Sequence, residues 1–275
     1  MLGVIERHAR EYRPFDVYAK SLDELFRGHQ VTDTEWDESQ SKMFQRLDRY
    51  QKEAYWALTG IARQFGGAFL CDGVGLGKTF VGLMLIERLI LHERKRVVLL
   101  APKGAKEAVW DPHLREYLAH VGGVGGSVDF SNLAVFSHTD LSRGGDFPER
   151  FRRIAATADA VVIDEAHHFR NPGQRRGDEN GSKDSRYYRL FDLLDPAAHP
   201  KSVYMLTATP INNRLTDFRH MVELFSRRDD AYFARTLGVN NLTALFGRME
   251  KDLRVELGLE DRDLSDNVVE VSERL

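Results

Sequence analysis

Ala68-Phe69-Leu70-Cys71-Asp72-Gly73-Val74-Gly75-Leu76-Gly77-Lys78-Thr79 decides the fold. Its first four residues read as a short buried strand and the apolar run from Phe80 to Leu91 as a helix, so the glycines fall in a strand-to-helix turn. Glycines there let successive backbone N–H groups point into one concavity and admit anionic oxygens closely, while the helix N-terminus adds partial positive charge. Lys78 is placed to reach the β and γ phosphates of a nucleotide, and the Thr79 hydroxyl to ligate magnesium. Gly75, Gly77, Lys78 and Thr79 are therefore the expected binding residues for ATP and Mg2+. The strict pattern G-x-x-x-x-G-K-[ST] is not met, because Asp72 stands at its first glycine.

Downstream, Val161-Val162-Ile163 runs into Asp164-Glu165-Ala166-His167. Three β-branched residues ahead of two acids read as a buried strand delivering carboxylates at its C-terminal end, where open α/β sheets keep their ligand sites. With Lys78 and Thr79 assigned to phosphate and metal, Asp164 becomes the magnesium carboxylate, acting directly or one ligand removed. Glu165 is then the residue that orients and deprotonates the attacking water. His167 either senses the γ-phosphate through a bond to a neighbouring strand end or caps the loop, and His168 reads as structural or solvated.

These residues resemble helicase superfamily two, and within it the SWI/SNF-like ATPases. The loop Asp72 to Thr79, in the form Asp-x-x-Gly-Leu-Gly-Lys-Thr, carries the resemblance, because those ATPases have an acidic residue where strict loops have glycine. Asp164 to His167 corresponds to a DEAH box, and Asp72-Gly73-Val74 departs from the usual Asp-Glu-Met. Further segments follow in the family's order from Leu47 to Asn213. Leu47 to Leu58 resembles the glutamine segment, which implies that Gln51 reads the adenine edge with its paired donor and acceptor. Val97 to Ala101 with Pro102-Lys103, and Leu133 to Leu141, resemble strands and turns that touch a phosphodiester backbone, which implies contacts at Lys103 and His138. Trp110 reads as packing. Val203 to Asn213 resembles the segment that couples nucleotide to polymer, through Thr207 and Thr209.

The resemblance implies an α/β, three-layer RecA-like P-loop NTPase lobe with a mainly parallel sheet and helical appendages at both ends. Its expected organisation is a polar leader over 1–42, the ATP-binding lobe over 43–230, and a mostly helical segment over 231–275 leading toward a second lobe. The implied activity is that of an ATP-dependent nucleic-acid motor, with double-stranded DNA favoured over RNA, completed by a second RecA-like lobe in cis or in trans. The alternative is a stand-alone nucleotide-binding interaction or regulatory module without efficient ATPase activity.

Composition bounds this reading. A chain of 275 residues suits one large α/β domain with appendages. No apolar run is long enough for a membrane span and the N-terminus does not read as a signal peptide, so a soluble protein, cytoplasmic or nucleoid-associated, is expected, with no membrane partner. A single cysteine excludes an internal disulfide, and Cys71 is expected to pack at the end of a buried strand. The net charge of −3 gives no bulk attraction to nucleic acid, so only a local patch can serve; Arg94-Lys95-Arg96, Arg152-Arg153, Arg175-Arg176 and Arg227-Arg228 are the candidate clusters. Gly122 to Gly126 reads as a link, Arg170 to Arg186 as a loop, and Leu215 to Leu259 as mostly helical.

Overall fold

The computed structural model describes residues 41–73, 75–118, 132–173, 184–194, 200–211 and 214–257. The expected leader up to residue 40, the Gly122–Gly126 link, the middle of the Arg170–Arg186 loop, Val74, Asn212, Asn213 and everything beyond 257 lie outside them. Along the chain run α1 (Lys42–Arg46), α2 (Arg49–Phe65), β1 (Gly67–Leu70), α3 (Lys78–Glu87), β2 (Val97–Ala101), α4 (Asp111–Leu118) and β3 (Leu133–Ser137). There follow α5 (Phe147–Ala156), β4 (Ala160–Asp164), α6 (Arg186–Leu193), β5 (Ser202–Leu206), α7 (Leu215–Ser226), α8 (Ala234–Leu237) and α9 (Leu242–Leu257).

The five strands pair in the order β1-β5-β4-β2-β3, and every pairing is parallel. Parallel strands need crossover helices, which cover both faces, so the strands must be apolar on both sides. That is how β2 and β4 read: all residues of Val97–Ala101 and Ala160–Asp164 are buried. Because side chains alternate along a strand, Val97, Leu99, Val162, Tyr204 and Leu206 face one layer, where Tyr55, Leu58, Trp110 and Leu114 cover them. Val98, Leu100, Val161, Ile163, Val203 and Met205 face the other, against Phe151, Leu190, Met221 and Leu224. The result is the expected three-layer α/β architecture.

Helix α3 lies innermost, with eight of its ten residues buried, which explains a sequence apolar on every side rather than along one stripe. Two of the eight are charged, Lys78 at the start and Glu87 at the end; Glu87 is 3% exposed and needs a partner, and Ser41, the N-cap of α1, donates to its Oε2 at 2.6 Å. Beyond residue 230, Phe233, Leu242 and Phe246 pack against Val222 of α7, so this helical segment is seated on the lobe.

Two sequence expectations change. The first strand ends at Leu70, paired with Leu206, and Cys71 is exposed rather than packed, because the chain has already left the ladder for the glycine loop. His138 opens a single helical turn, His138–Ser142, directly after β3, and its ring is 2% exposed. It packs edge-on against Phe169 at 4.9 Å and His168 at 5.4 Å. In this arrangement the ring is inside the protein and is not offered to a polymer.

Two predictions follow from the packing. Helix α2 ends at Gly66 in the left-handed region (φ 74°), and Gly67 starts β1 with Phe225 of α7 against its Cα; a Cβ there would stand 2.4 Å from the ring. Gly67→Ala is expected to lower stability by roughly 1–3 kcal/mol, read by urea denaturation, because the ring must move out of an aromatic cluster with Phe69 and Phe233.

Burial, with the nearby His168 and Arg186 adding to it, pushes His138 down to about 4 from an ordinary 6.5. A buried neutral histidine resists a proton that the unfolded chain accepts, so its contribution is complete above pH 6.5 and is lost as pH falls from 6.5 toward 4. Stability measured across that window should drop by up to about 3 kcal/mol on this account, and His138→Gln should flatten the profile.

Candidate nucleotide-binding site

Strand β5 lies between β1, which leads into the glycine loop, and β4, which ends in the acids. All three strands deliver their C-terminal ends to one edge of the sheet, so the loop, the end of β5 and the Asp164–Glu165 pair converge there. Thr207 joins them: its N–H donates to the Leu70 carbonyl at 3.0 Å, and it is fully buried.

The loop turns through Gly75 (φ 84°) and Gly77 (φ 76°), a region that L side chains rarely enter. Gly77 is the N-cap of α3 and brings no side-chain acceptor, so the first amides of the helix, at Lys78 and Thr79, face the loop without an intrahelical partner. Lys78 is 9% exposed and its Nζ donates to the carbonyls of Asp72 and Gly73, both at 2.9 Å. The ammonium thus closes the loop on itself at the mouth of the helix. Thr79 follows, half-buried, on the first turn.

Gln51 is placed differently from the simplest expectation. Its Oε1 accepts from the Asp48 N–H at 3.0 Å and its Nε2 donates to the Leu76 carbonyl at 3.1 Å. The amide therefore caps α2 and braces the glycine loop from behind, and a Cβ at Gly77 would come within 2.4 Å of Nε2. Tyr50 reaches the same carbonyl through its hydroxyl at 3.0 Å.

Across the sheet edge, Asp164 is 7% exposed. Its Oδ1 accepts from the Glu165 N–H at 3.0 Å and its Oδ2 from the Trp110 indole at 2.8 Å. Burial pushes its carboxyl above the usual range; the Trp110 bond opposes this, the charge of Glu165 adds to it, and Lys78 pulls the other way. Glu165 sits in the left-handed region (φ 49°), a conformation that costs a non-glycine residue roughly 1–2 kcal/mol. Such strain is concentrated at functional sites, and Glu165 directly follows Asp164 at the end of β4. His167 Nδ1 lies 3.0 Å from Glu165 Oε2 and 3.3 Å from Thr207 Oγ1, which also accepts from the Thr209 N–H at 3.3 Å. Thr209 itself is exposed. His167, Thr207 and Thr209 thus form one connected group next to Glu165.

The donor set fits the ligands that the residues imply. A hydroxyl and a carboxylate are hard oxygen ligands, suited to magnesium, which takes few protein ligands beside phosphate oxygens. Among the described residues there is no cluster of three or more His, Cys, Asp or Glu that would instead suggest a metal held by protein alone.

Lys103 lies past the end of β2, on the rim of a cavity of about 310 Å³ between the β2 and β3 ends. Lys106, Arg143 and Arg150 share this cavity with Lys103, beside Glu107 and Asp140; Lys106 is paired with Asp111 at 2.8 Å and Arg143 with Asp140 at 2.9 Å. This patch is not among the clusters expected from adjacent basic residues. Arg227 and Arg228 are instead tied into the fold, the first over the Phe191 ring at 3.7 Å and the second to Glu223 at 3.1 Å. Arg175 and Arg176 lie outside the described residues. The sequence signal for the patch was spacing, not adjacency: Lys103 and Lys106 are one helical turn apart, and Arg143 and Arg150 approach from the other side of β3.

No family model matches the chain. Over 173 residues, 60% of its length, it is 30% identical to a Bacillus subtilis (strain 168) protein named as an uncharacterized ATP-dependent helicase, YqhH, and the match spans 27% of that protein. Among solved structures, the Sulfolobus solfataricus SWI2/SNF2 ATPase core in complex with dsDNA has the same fold, with a TM-score of 0.51 over 76% of this chain and 42% of that one, at 17% identity. The chain thus spans well under half of each of these larger proteins. The chain is thus similar in sequence to part of an ATP-dependent helicase and shares the fold of a SWI2/SNF2 ATPase core.

Proposed function

We propose that this lobe binds ATP with Mg2+ and, completed by a second RecA-like lobe in cis or in trans, hydrolyses it to drive movement along nucleic acid, with double-stranded DNA as the track. The observation that carries the reading is the convergence of Lys78, Thr79, Asp164, Glu165 and Thr207 at one sheet edge. Lys78, whose ammonium already lies over the loop carbonyls, has the charge and reach for the terminal phosphates. The backbone N–H groups from Gly75 to Thr79 bind phosphate oxygens, aided by the positive end of α3. Thr79 and Asp164 would hold Mg2+, which when bound neutralises phosphate charge.

Glu165 orients a water and takes its proton as the water oxygen attacks the γ-phosphorus, the bond from that phosphorus to the β-γ bridging oxygen breaks, and ADP leaves with that oxygen. His167 steadies that carboxylate from one side, and its link to Thr207 ties the Glu165 position to the strand beside the phosphate loop. Polymer recognition is assigned to the basic cavity at Lys103, Lys106, Arg143 and Arg150, which suits backbone phosphate and carries no base readout. The dsDNA in the Sulfolobus complex supports duplex DNA as the polymer. No helix among the described residues is long and apolar enough to cross a membrane.

The nucleotide assignment is tested by two substitutions. Lys78→Ala should weaken ATP binding at least about tenfold in equilibrium titration, the loss of a charged phosphate contact. Glu165→Gln should leave ATP binding within about twofold and lower turnover in the completed motor by roughly 10²–10⁴. Unchanged turnover removes Glu165 from its role, and unchanged binding in Lys78→Ala removes the loop from its own.

The polymer assignment predicts a salt signature. A Lys103→Ala/Arg143→Ala double variant should bind duplex DNA more weakly for every sequence and reduce the slope of log affinity against log salt by about 2. An unchanged slope would place the polymer elsewhere on the surface.

A further inference from the structure

Trp110 is fully buried, and an indole N–H inside a protein needs an acceptor. Backbone carbonyls usually supply one. Here the acceptor is a side-chain carboxylate oxygen, Asp164 Oδ2 at 2.8 Å. The other oxygen of the same carboxylate accepts from the Glu165 amide at 3.0 Å. One bond to each oxygen fixes the plane of the group while leaving each oxygen a further lone pair.

The indole is held as firmly as the carboxylate. Its far edge lies over Gly82 on α3, where a Cβ would meet Trp110 Cη2 at 2.7 Å and Leu206 Cδ1 at 2.9 Å. Gly82 follows Lys78 by one helical turn, so the ring bridges from just below the phosphate loop to the end of β4, beneath β5. The chain reaches this place through a wide-turn helical segment, Lys106–Trp110, between the helical turn Lys103–Ala105 and α4. Wide turns of this kind shift the side-chain phase by inserting a residue, and they recur at functional sites.

We infer that Trp110 is a positioning residue for the metal-binding carboxylate: its indole N–H sets the orientation in which Asp164 meets magnesium, and Gly82 is the space that lets it do so. The inference rests on the reading of Asp164 as the magnesium carboxylate. A tryptophan serving only as core filler would need the ring volume and not the N–H. Replacing the N–H is therefore the decisive change. Trp110→Phe removes it with some loss of volume, and Trp110→3-benzothienylalanine removes it with the ring shape kept, so the second variant covers the case in which the first does not fold.

The measurement is ATP binding by the full chain as a function of Mg2+, with EDTA as the metal-free reference, alongside thermal unfolding. With either variant the half-saturating Mg2+ concentration should rise roughly tenfold, the scale of one hydrogen bond to a charged group, while ATP affinity in EDTA stays within about twofold. A variant that loses thermal stability or weakens both affinities alike, with no change in Mg2+ dependence, overturns the inference. Asp164→Asn separates this failure from that of the underlying reading. If Asp164→Asn raises the Mg2+ requirement and the Trp110 variants do not, only the positioning role is wrong. If Asp164→Asn leaves the requirement unchanged, the magnesium assignment fails and the role of Trp110 falls with it.

Discussion

Everything at the candidate site depends on β5 pairing with β1 on one side and β4 on the other. The phosphate loop and the acidic strand end would otherwise be neighbours in a simple winding, with no group between them. Inserting β5 separates them by one strand, about 5 Å on each side, and fills the gap with the end of that strand. Thr207 occupies that end, bonded through its N–H to Leu70 and facing His167 through its hydroxyl. The gap is thereby bridged by hydrogen bonds rather than by chain connectivity, so the two halves of the site are coupled without being consecutive in sequence.

The same edge carries two unfavourable features that the packing must sustain. Glu165 is held in a left-handed conformation, and Asp164 keeps a carboxylate almost out of water. Each has an identifiable support. The Glu165 amide is the donor to Asp164 Oδ1, so the residue that carries the backbone strain also solvates the neighbouring charge. The second donor is the Trp110 indole, and Lys78 adds a favourable charge from across the site. A buried carboxylate with fewer partners would take up a proton.

How much of this could be read from sequence follows from which interactions are local. The strands Val97–Ala101 and Val161–Asp164 were legible because burial on both faces demands a continuous apolar run, and the phosphate loop because only glycines meet its φ requirement. The end of β1 was misplaced by one residue at Cys71, since nothing in an apolar tetrad says where the ladder stops. His138 was expected at a polymer contact only through the resemblance of Leu133 to Leu141 to a backbone-touching segment, yet it is buried against Phe169 and His168, which approach from the end of another strand. Gln51 was legible as important and not in how its amide is used, because the carbonyl it braces lies 25 residues away in the loop. Trp110 was read as packing for the same reason: its partner is 54 residues downstream, and no local pattern distinguishes an indole that fills space from one that also donates to a carboxylate.

The segment Lys103–Trp110 gives the lobe a short physical path between its two candidate surfaces. Lys103 and Lys106 border the basic cavity, while Trp110, one turn beyond Lys106, is bonded to Asp164. Residues at that spacing lie on the same side of a regular helix, but the wide turn here changes the phase, so that Lys106 stays partly exposed beside Asp111 while the indole is fully buried. A helical turn is stiff over this length, and its inner end is wedged against Gly82.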